Sequence, residues 1–285
     1  MQEISSHIFI ETAYAGVTLG AINWPHGLIL IDSPLRAEDT RAWRSALLNL
    51  GGGVDRMLVN LDAHFDRTLG TRAMECTVLG HEKMAEVFHN RPINFKAQAT
   101  ETGAEWEQYS SQGSIRWVPP EITFSDKMMI HWDDRALVLE THLGPAAGAI
   151  WAEMPFEKIV FIGDTVVVNQ PPFLGGADIP AWITSLELLL SPSYREYLLV
   201  SGRGGLVAQQ QVREQIAFLR LVEEQIGGLG KKNATPEDAS ALAPGLLKKF
   251  IVPAGKEVQY EQRLRYGLSH YFLRHFRPSA VISEE

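Results

Sequence analysis

The sequence predicts an α/β fold, a four-layer αββα sandwich in which two β-sheets pack face to face and helices cover both outer sides. First, apolar runs of strand length alternate with helical segments along most of the 285 residues. Second, the two halves follow one plan, because each begins with antiparallel strands and continues with alternating strands and helices. Third, hydrophobic residues make up 45% of the chain, which is typical of a globular protein with a sizeable core.

The first half opens with strands and then alternates. Residues 7–10, 16–22 and 27–32 are apolar and β-branched and are separated by Gly and Pro, which favours antiparallel hairpins. A helix is predicted over 37–50, and three glycines end it. The elements predicted after it are a strand at 56–62, a helix near 67–74, a strand at 76–79 and a helix near 81–89. Residues 90–120 are polar and irregular, so we expect a surface excursion there that could form a lid.

The second half repeats this order. The predicted elements are strands near 121–124, 128–131, 135–142, 148–153 and 158–163, a helix over 179–190, a strand at 197–200 and an amphipathic helix that ends at about 225. These elements complete a predicted domain over residues 1–226. Residues 227–285 are predicted to be a linker followed by a helical extension that packs on the domain, with Thr235 as a helix N-cap and Pro236 in the first turn.

Composition also limits the partners. The formal net charge is −8, so no global basic field attracts nucleic acid or an anionic membrane, and we do not expect either as a partner. The N-terminus has no signal-peptide pattern, and no apolar run approaches the roughly 20 residues that a membrane helix needs. The sequence therefore predicts a cytoplasmic protein. Aromatic residues in the basic tail at 260–277 predict packing against the main domain or a second subunit, and we expect a homodimer.

The segment from Asp62 to Arg67 carries the strongest chemical signal. It follows an apolar strand, and Asp62, His64 and Asp66 occupy every second position. Alternate side chains of a strand lie on one face, so this spacing could direct all three toward one point. Carboxylate and imidazole groups are metal ligands, and this pattern therefore predicts a candidate metal site at the end of the strand.

The order of the motifs at strand ends resembles the metallo-β-lactamase-fold superfamily over roughly residues 5–225. Members typically carry H-x-H-x-D-H after a strand, a G-H-T-x-G turn, a later G-D and a final G-H-G. In this chain the corresponding segments are residues 62–67, the turn at 143–148, Gly163-Asp164, and Gly202-Arg203-Gly204, with Asp32 at the end of an early strand. The resemblance implies the αββα fold and a metal-dependent hydrolase that acts on small molecules.

Only part of the metal-binding pattern of the superfamily is present. His64, Asp66 and Asp164 match ligand positions, and Asp62 replaces the first histidine by another possible ligand. The other three histidines are replaced by Arg67, Pro145 and Arg203, and neither a protonated arginine nor a proline side chain binds a cation.

One hypothesis is a divergent hydrolase with at most one metal ion. The resemblance implies that Asp62, His64 and Asp164 hold this ion, which could be zinc, manganese or iron, and that it acidifies a water molecule. Asp66 would orient that water or accept its proton, and Arg67 and Arg203 would hold an anionic group of a small-molecule substrate.

The alternative hypothesis is a metal-free, non-catalytic binding or regulatory protein that keeps the fold. Several ionised aspartates in one cleft need cationic compensation, or their pKa values must rise. Arg67 and Arg203 could provide two fixed positive charges through pairs with Asp66 and Asp164. Whether the protein is an enzyme stays open at this point.

Overall fold

The chain forms two β-sheets that face each other with helices on both outer sides, which confirms the predicted αββα sandwich. The structure is a computed structural model, and it describes residues 1–91, 101–109, 118–232 and 234–277. Within these residues the first sheet has seven strands, in the order β1 (Gln2–Ser5), β2 (Ile8–Glu11), β3 (Leu19–Asn23), β4 (Gly27–Ile31), β5 (Asp55–Val59), β6 (Thr77–His81) and β7 (Ile122–Phe124). Strands β1 to β4 pair antiparallel, and β4 to β7 pair parallel.

The second sheet has six strands within the described residues. Its order is β13 (Gly205–Val207), β12 (Leu198–Ser201), β11 (Ile159–Phe161), β10 (Ile150–Met154), β9 (Leu137–Thr141) and β8 (Lys127–Ile130). Strands β11 and β12 are parallel and the other neighbours are antiparallel. Strand β13 was not predicted from the sequence, because its three residues are too few to show a clear period.

The helices follow the predicted order closely. They are α1 (Ala37–Leu47), α2 (Phe65–Thr68), α3 (Glu82–His89), α4 (Ile179–Leu189), α5 (Gln209–Gly230), α6 (Pro236–Ser240), α7 (Ala243–Leu247) and α8 (Glu257–Phe276). Short 3-10 helices occur at Leu48–Leu50, Thr71–Met74, Glu105–Tyr109, Gly163–Thr165 and Pro192–Tyr194. None of the helices in the described ranges is long and apolar enough to span a membrane.

Strand β4 contributes side chains to the apolar layer on each face of the first sheet. Ile29 and Ile31 point toward the second sheet, and Leu28 and Leu30 point to the outer side, because side chains alternate along a strand. The outer side packs on Trp43 of α1, which is fully buried. Burial of a side chain of this size stabilises the fold by about 2–3 kcal/mol.

The second sheet is covered by α4, α5 and the C-terminal helices. Val160 of β11 contacts the outer apolar layer, which contains Trp182 of α4, Leu219 of α5 and Leu268 of α8. The C-terminal helices therefore share the core of the second sheet. Thr235 caps α6 as predicted, since its hydroxyl accepts a hydrogen bond from the Asp238 N–H and the Asp238 carboxylate accepts one from the Thr235 N–H.

Two further segments differ from the sequence-based prediction. Helix α5 continues through Gly230, past its predicted end, because Ile226 keeps its apolar face in the core. Of the predicted surface excursion at 90–120, the part at 101–109 is instead largely buried, with Ala104 and Trp106 in an apolar cluster. Residues 92–100 and 110–117 of that excursion lie outside the described residues.

Candidate functional site

The candidate site lies where parallel strands of both sheets end. Asp32 directly follows β4, and Asp62 comes three residues after the end of β5. In the second sheet, Asp164 follows β11 and Arg203 follows β12. The carboxyl ends of neighbouring parallel strands meet at one edge of a sheet, and the two sheets bring these edges together. The fold thus assembles four polar residues that are distant in sequence, and all four are buried.

The Asp62–Arg67 segment is a turn that leads into α2. Strand β5 ends at Val59, so the alternation of a strand does not direct Asp62, His64 and Asp66, and that part of the prediction is wrong. Instead, an Asp62 carboxylate oxygen accepts the N–H of His64 at 2.8 Å. The Nδ1 atom of His64 then caps α2 by accepting the Asp66 N–H at 3.2 Å. Local hydrogen bonds of this kind terminate the extended chain and begin the helix.

Arg67 lies at the centre of the site and pairs with three carboxylates. Its Nη1 donates to Asp32 at 2.7 Å, its Nη2 donates to Asp164, and its Nε lies 3.0 Å from an Asp62 oxygen. The Nε contact is an ion pair without good hydrogen-bond alignment. The side chain is completely buried, so Arg67 has no surface left for a substrate.

Arg203 forms the second cationic centre. Its Nε donates to Asp164 at 2.9 Å and its Nη1 donates to Asp66 at 2.7 Å. Its Nη2 lies 3.0 Å from Nδ1 of His64. The guanidinium also lies over the ring of Phe173, 4.8 Å from the ring centre. The sequence-based pairing of Arg203 with Asp66 and Asp164 agrees with these contacts.

Asp164 joins the two centres. One of its oxygens accepts from Arg67 and the other accepts from Arg203, so a single carboxylate bridges two guanidinium groups. Gly202 makes this arrangement possible, since a Cβ at residue 202 would lie 2.9 Å from both Nη atoms of Arg67. A larger residue at position 202 would therefore clash with the guanidinium group of Arg67.

Burial and the two arginines set the protonation states of the acidic groups. Burial alone would raise the pKa of Asp164 and of Asp66, but Arg203 holds both pKa values below the ordinary range, with help from Arg67 at Asp164. Burial raises the pKa of Asp32 to about 6 despite Arg67, and burial also raises the pKa of Asp62. The guanidinium groups thus outweigh burial at Asp66 and Asp164, whereas burial outweighs Arg67 at Asp32 and Asp62.

Asp66 accepts three hydrogen bonds from the protein. One oxygen accepts the N–H of Trp106 at 2.8 Å. The other accepts the N–H of Glu105 at 3.2 Å and Nη1 of Arg203. The side chain is fully buried. Asp66 therefore holds the segment 101–109 against the site, which is a structural use of a residue predicted to be a catalytic base.

His64 is neutral, and its tautomer follows from its contacts. Both groups near Nδ1, the Asp66 N–H and the Arg203 guanidinium, are donors, so Nδ1 must accept and the ring proton lies on Nε2. Burial, together with Arg203, lowers the pKa of His64 to about 3. The Nδ1 lone pair is consequently engaged within the protein, and only the N–H of the ring is left to face a ligand.

The donor set does not fit a metal ion as it stands. Within the described residues, no group of three or more His, Cys, Asp and Glu side chains is arranged to hold one. Of the predicted ligands, Asp62 and Asp164 both lie against Arg67, and His64 directs Nδ1 to Arg203. Two fixed cations stand among the carboxylates, and a dication in the same space would meet strong electrostatic repulsion.

Sequence reasoning missed Arg263 of α8. Arg263 lies in the basic tail at 260–277, for whose arginines the sequence predicts no specific contact, yet the residue is 1% exposed and donates to the carbonyl oxygen of Gly103 through Nε and Nη2. Helical spacing would have identified it, because Tyr260, Arg263 and Gly267 lie at steps of three and four along one face. Gly267 allows α8 to approach Leu174 closely, where a Cβ would lie 3.0 Å away.

Comparison with known proteins supports the fold. No protein-family model matches the chain, and neither does the sequence of any curated protein. The inverting sec-alkylsulfatase Pisa1 from Pseudomonas sp. is similar in structure, with a TM-score of 0.70 and 14% identity over 98% of this chain. This chain spans about half of that enzyme, 51% of its length.

Two shorter proteins match over most of their own length. A metallo-β-lactamase family protein from Thermus thermophilus has a TM-score of 0.66 and 16% identity, and the match covers 98% of this chain and 95% of the other. A metallo-β-lactamase from Pontibacter korlensis has a TM-score of 0.57 and 21% identity, over 77% and 97% of the two chains. The chain therefore has the metallo-β-lactamase fold, as its strand-end motifs predict.

Proposed function

We propose that this chain is a metal-independent binding protein with the metallo-β-lactamase fold, in which Arg67 and Arg203 take over the charge-neutralising role that metal ions have in that superfamily. The observation that supports this most is the bridging carboxylate of Asp164 between the two guanidinium groups. Charge-assisted pairs of this type are strong and directional, and they need no further cation.

The cost of displacing Arg67 supports the proposal. A metal ion held by Asp62 and Asp164 would have to separate Arg67 from both, and the arginine is fully buried. Breaking a buried ion pair without replacing its partner costs about 3–5 kcal/mol. Metal binding would have to supply this free energy before it could stabilise the protein.

The single-metal hydrolase receives less support from the same geometry. Its three predicted ligands, Asp62, His64 and Asp164, are each paired with an arginine. Its predicted base, Asp66, already accepts two backbone N–H groups and Arg203, which leaves little capacity to bind a water molecule. A fold alone does not determine chemistry. We therefore propose a binding role, with a small molecule that carries an anionic group as the ligand.

A metal titration of the wild-type protein tests this proposal. Any ion that binds only the folded state must raise the thermal midpoint. We expect the midpoint to stay unchanged when zinc or manganese is added to chelator-treated protein. A saturable increase that disappears in the His64→Ala variant would contradict the proposal and support the hydrolase.

A further inference from the structure

A cavity lies between His64 and helix α8. It has a volume of about 310 Å³, which is at the lower end of the range for sites of small molecules. We call it the His64 cavity. The residues that line it are His64, Phe65, Arg91, Thr102, Trp106, Phe173, Leu174, Gly175, Gly176, Arg263, Tyr266 and Gly267.

Arg263 brings a buried positive charge to the wall of this cavity. Its hydrogen bonds go to neutral acceptors: Gly103 O from Nε and Nη2, and Gln170 Oε1 and Pro171 O from Nη1. Among the described residues, no carboxylate lies within ion-pairing distance of it, in contrast to Arg67 and Arg203. A buried charge without a counter-charge is costly, and an anion in the cavity would compensate it.

One donor of Arg263 also remains for a ligand. A guanidinium has five N–H groups, and the described contacts use four of them. The remaining one belongs to Nη2. Burial, with a contribution from Arg203, lowers the pKa of Arg263 to about 10, so the group stays charged at neutral pH.

His64 supplies a second donor in the lining of the cavity. Because Nδ1 accepts from the protein, the ring proton lies on Nε2, and the neutral ring lines the cavity as an N–H donor. Both donors lie close to the ring of Phe173, whose centre is 4.3 Å from the centre of the His64 ring and 4.1 Å from the Arg263 guanidinium carbon. The cavity thus combines two donors with one aromatic surface.

Most of the remaining walls are apolar or aromatic, with Arg91, whose guanidinium lies over the ring of Phe65, and Thr102 as the polar members. Phe65 and Trp106 pack edge to face with ring centres 5.0 Å apart, and Leu174 and Tyr266 close the cavity toward α8. Such walls favour a hydrophobic body, and they disfavour an inorganic anion, which would lose its hydration without a full set of hydrogen bonds.

We propose that the His64 cavity binds a small organic monoanion with an apolar body, a carboxylate or a sulfate ester, whose head group contacts Arg263 and His64 while its body packs on Phe173 and Trp106. This inference rests on the proposed function, because it requires His64 to be free of metal.

Gly176 gives a test that leaves the polar groups intact. A Cβ at this residue meets nothing within 4 Å, and Gly176 lines the cavity, so Gly176→Leu adds bulk without a clash. Gly228→Leu is the matched control, because a Cβ there also meets open space and the residue lies on α5, away from the cavity. Arg263→Gln removes the charge, and Arg265→Gln, on the same helix and paired with Glu261, is its control.

Binding of octyl sulfate, octanoate, octanol and inorganic sulfate is measured by calorimetry on the full chain. We expect both amphiphilic anions to bind wild type and both controls. Arg263→Gln should bind them about tenfold more weakly or worse, since a hydrogen bond to a charged group contributes this much. Gly176→Leu should weaken binding by a similar factor, because the leucine side chain takes up space that the apolar body of the ligand needs. Octanol and inorganic sulfate are expected to bind at least tenfold more weakly than octyl sulfate.

Three results would overturn the inference: octanol binding as tightly as the anions, Gly176→Leu binding like wild type, or neither anion binding at all. If Arg263→Gln does not fold, Gly176→Leu still decides. The metal titration shows which proposal has failed. If only the ligand inference is wrong, added metal leaves the thermal midpoint unchanged. If the proposed function is wrong and His64 binds a metal, added metal raises the midpoint.

Discussion

The Arg67→Met variant is expected to lose about 3–5 kcal/mol of unfolding free energy, the usual cost of removing one partner from a buried ion pair. The physical reason is that Arg67 compensates Asp32, Asp62 and Asp164 at once, and its side chain is completely buried. Methionine fills similar space without charge, so the carboxylates would be left uncompensated or protonated. Denaturant unfolding followed by circular dichroism measures the change.

The control for this variant is Arg220→Met. Arg220 pairs with Glu187 on the surface, where both side chains are more than half exposed, and such pairs contribute about 0–1 kcal/mol. Combining Arg67→Met with Asp32→Asn should recover part of the lost stability. If Arg67→Met unfolds at the same denaturant concentration as Arg220→Met, the buried arginine is not what compensates the carboxylates.

The Arg203→His variant is expected to bind zinc more tightly than the wild type. The substitution removes one fixed cation and adds an imidazole next to Asp66 and Asp164, the two carboxylates that Arg203 contacts. Two carboxylates and one imidazole are a suitable ligand set for zinc. At a zinc concentration 100 times the dissociation constant, the free energy of unfolding should rise by about 2.7 kcal/mol.

Arg203→Gln is the matched control for this gain. It removes the same charge but supplies no imidazole, so its thermal midpoint should respond to zinc much less than that of Arg203→His. An equal response of both variants would mean that the loss of the arginine alone opens a metal site. No response of Arg203→His would contradict the view that Arg203 occupies the position of a metal-ligand side chain.

Much of the fold was predictable because it depends on local patterns. The apolar run Gly27–Ile31 identifies β4, and the polar residue that follows it is Asp32. The other site motifs also follow apolar runs, so their order along the chain can be read from the sequence. Strand β13 and the end of α5 were less predictable, because the first is very short and the second depends on Ile226 reaching a core that other elements build.

The contacts within the site could be predicted only in part. The replacement of histidines by Arg67 and Arg203 is visible in the sequence, and so is the presence of acidic partners. The sequence does not reveal which aspartate pairs with which arginine. It predicts pairs of the two arginines with Asp66 and Asp164, whereas Arg67 pairs with Asp32, Asp62 and Asp164. The role of Arg263 also escaped, because it depends on how α8 docks against the segment 101–109.

The metal content of wild-type protein purified without a chelator tests the central claim most directly. If the guanidinium groups of Arg67 and Arg203 neutralise the aspartates, elemental analysis should find far less than one zinc, manganese or iron per chain. The Arg203→His protein purified from cells grown with zinc serves as the positive control. One metal ion per wild-type chain, lost in His64→Ala, would contradict the account and restore Asp62, His64 and Asp164 as metal ligands.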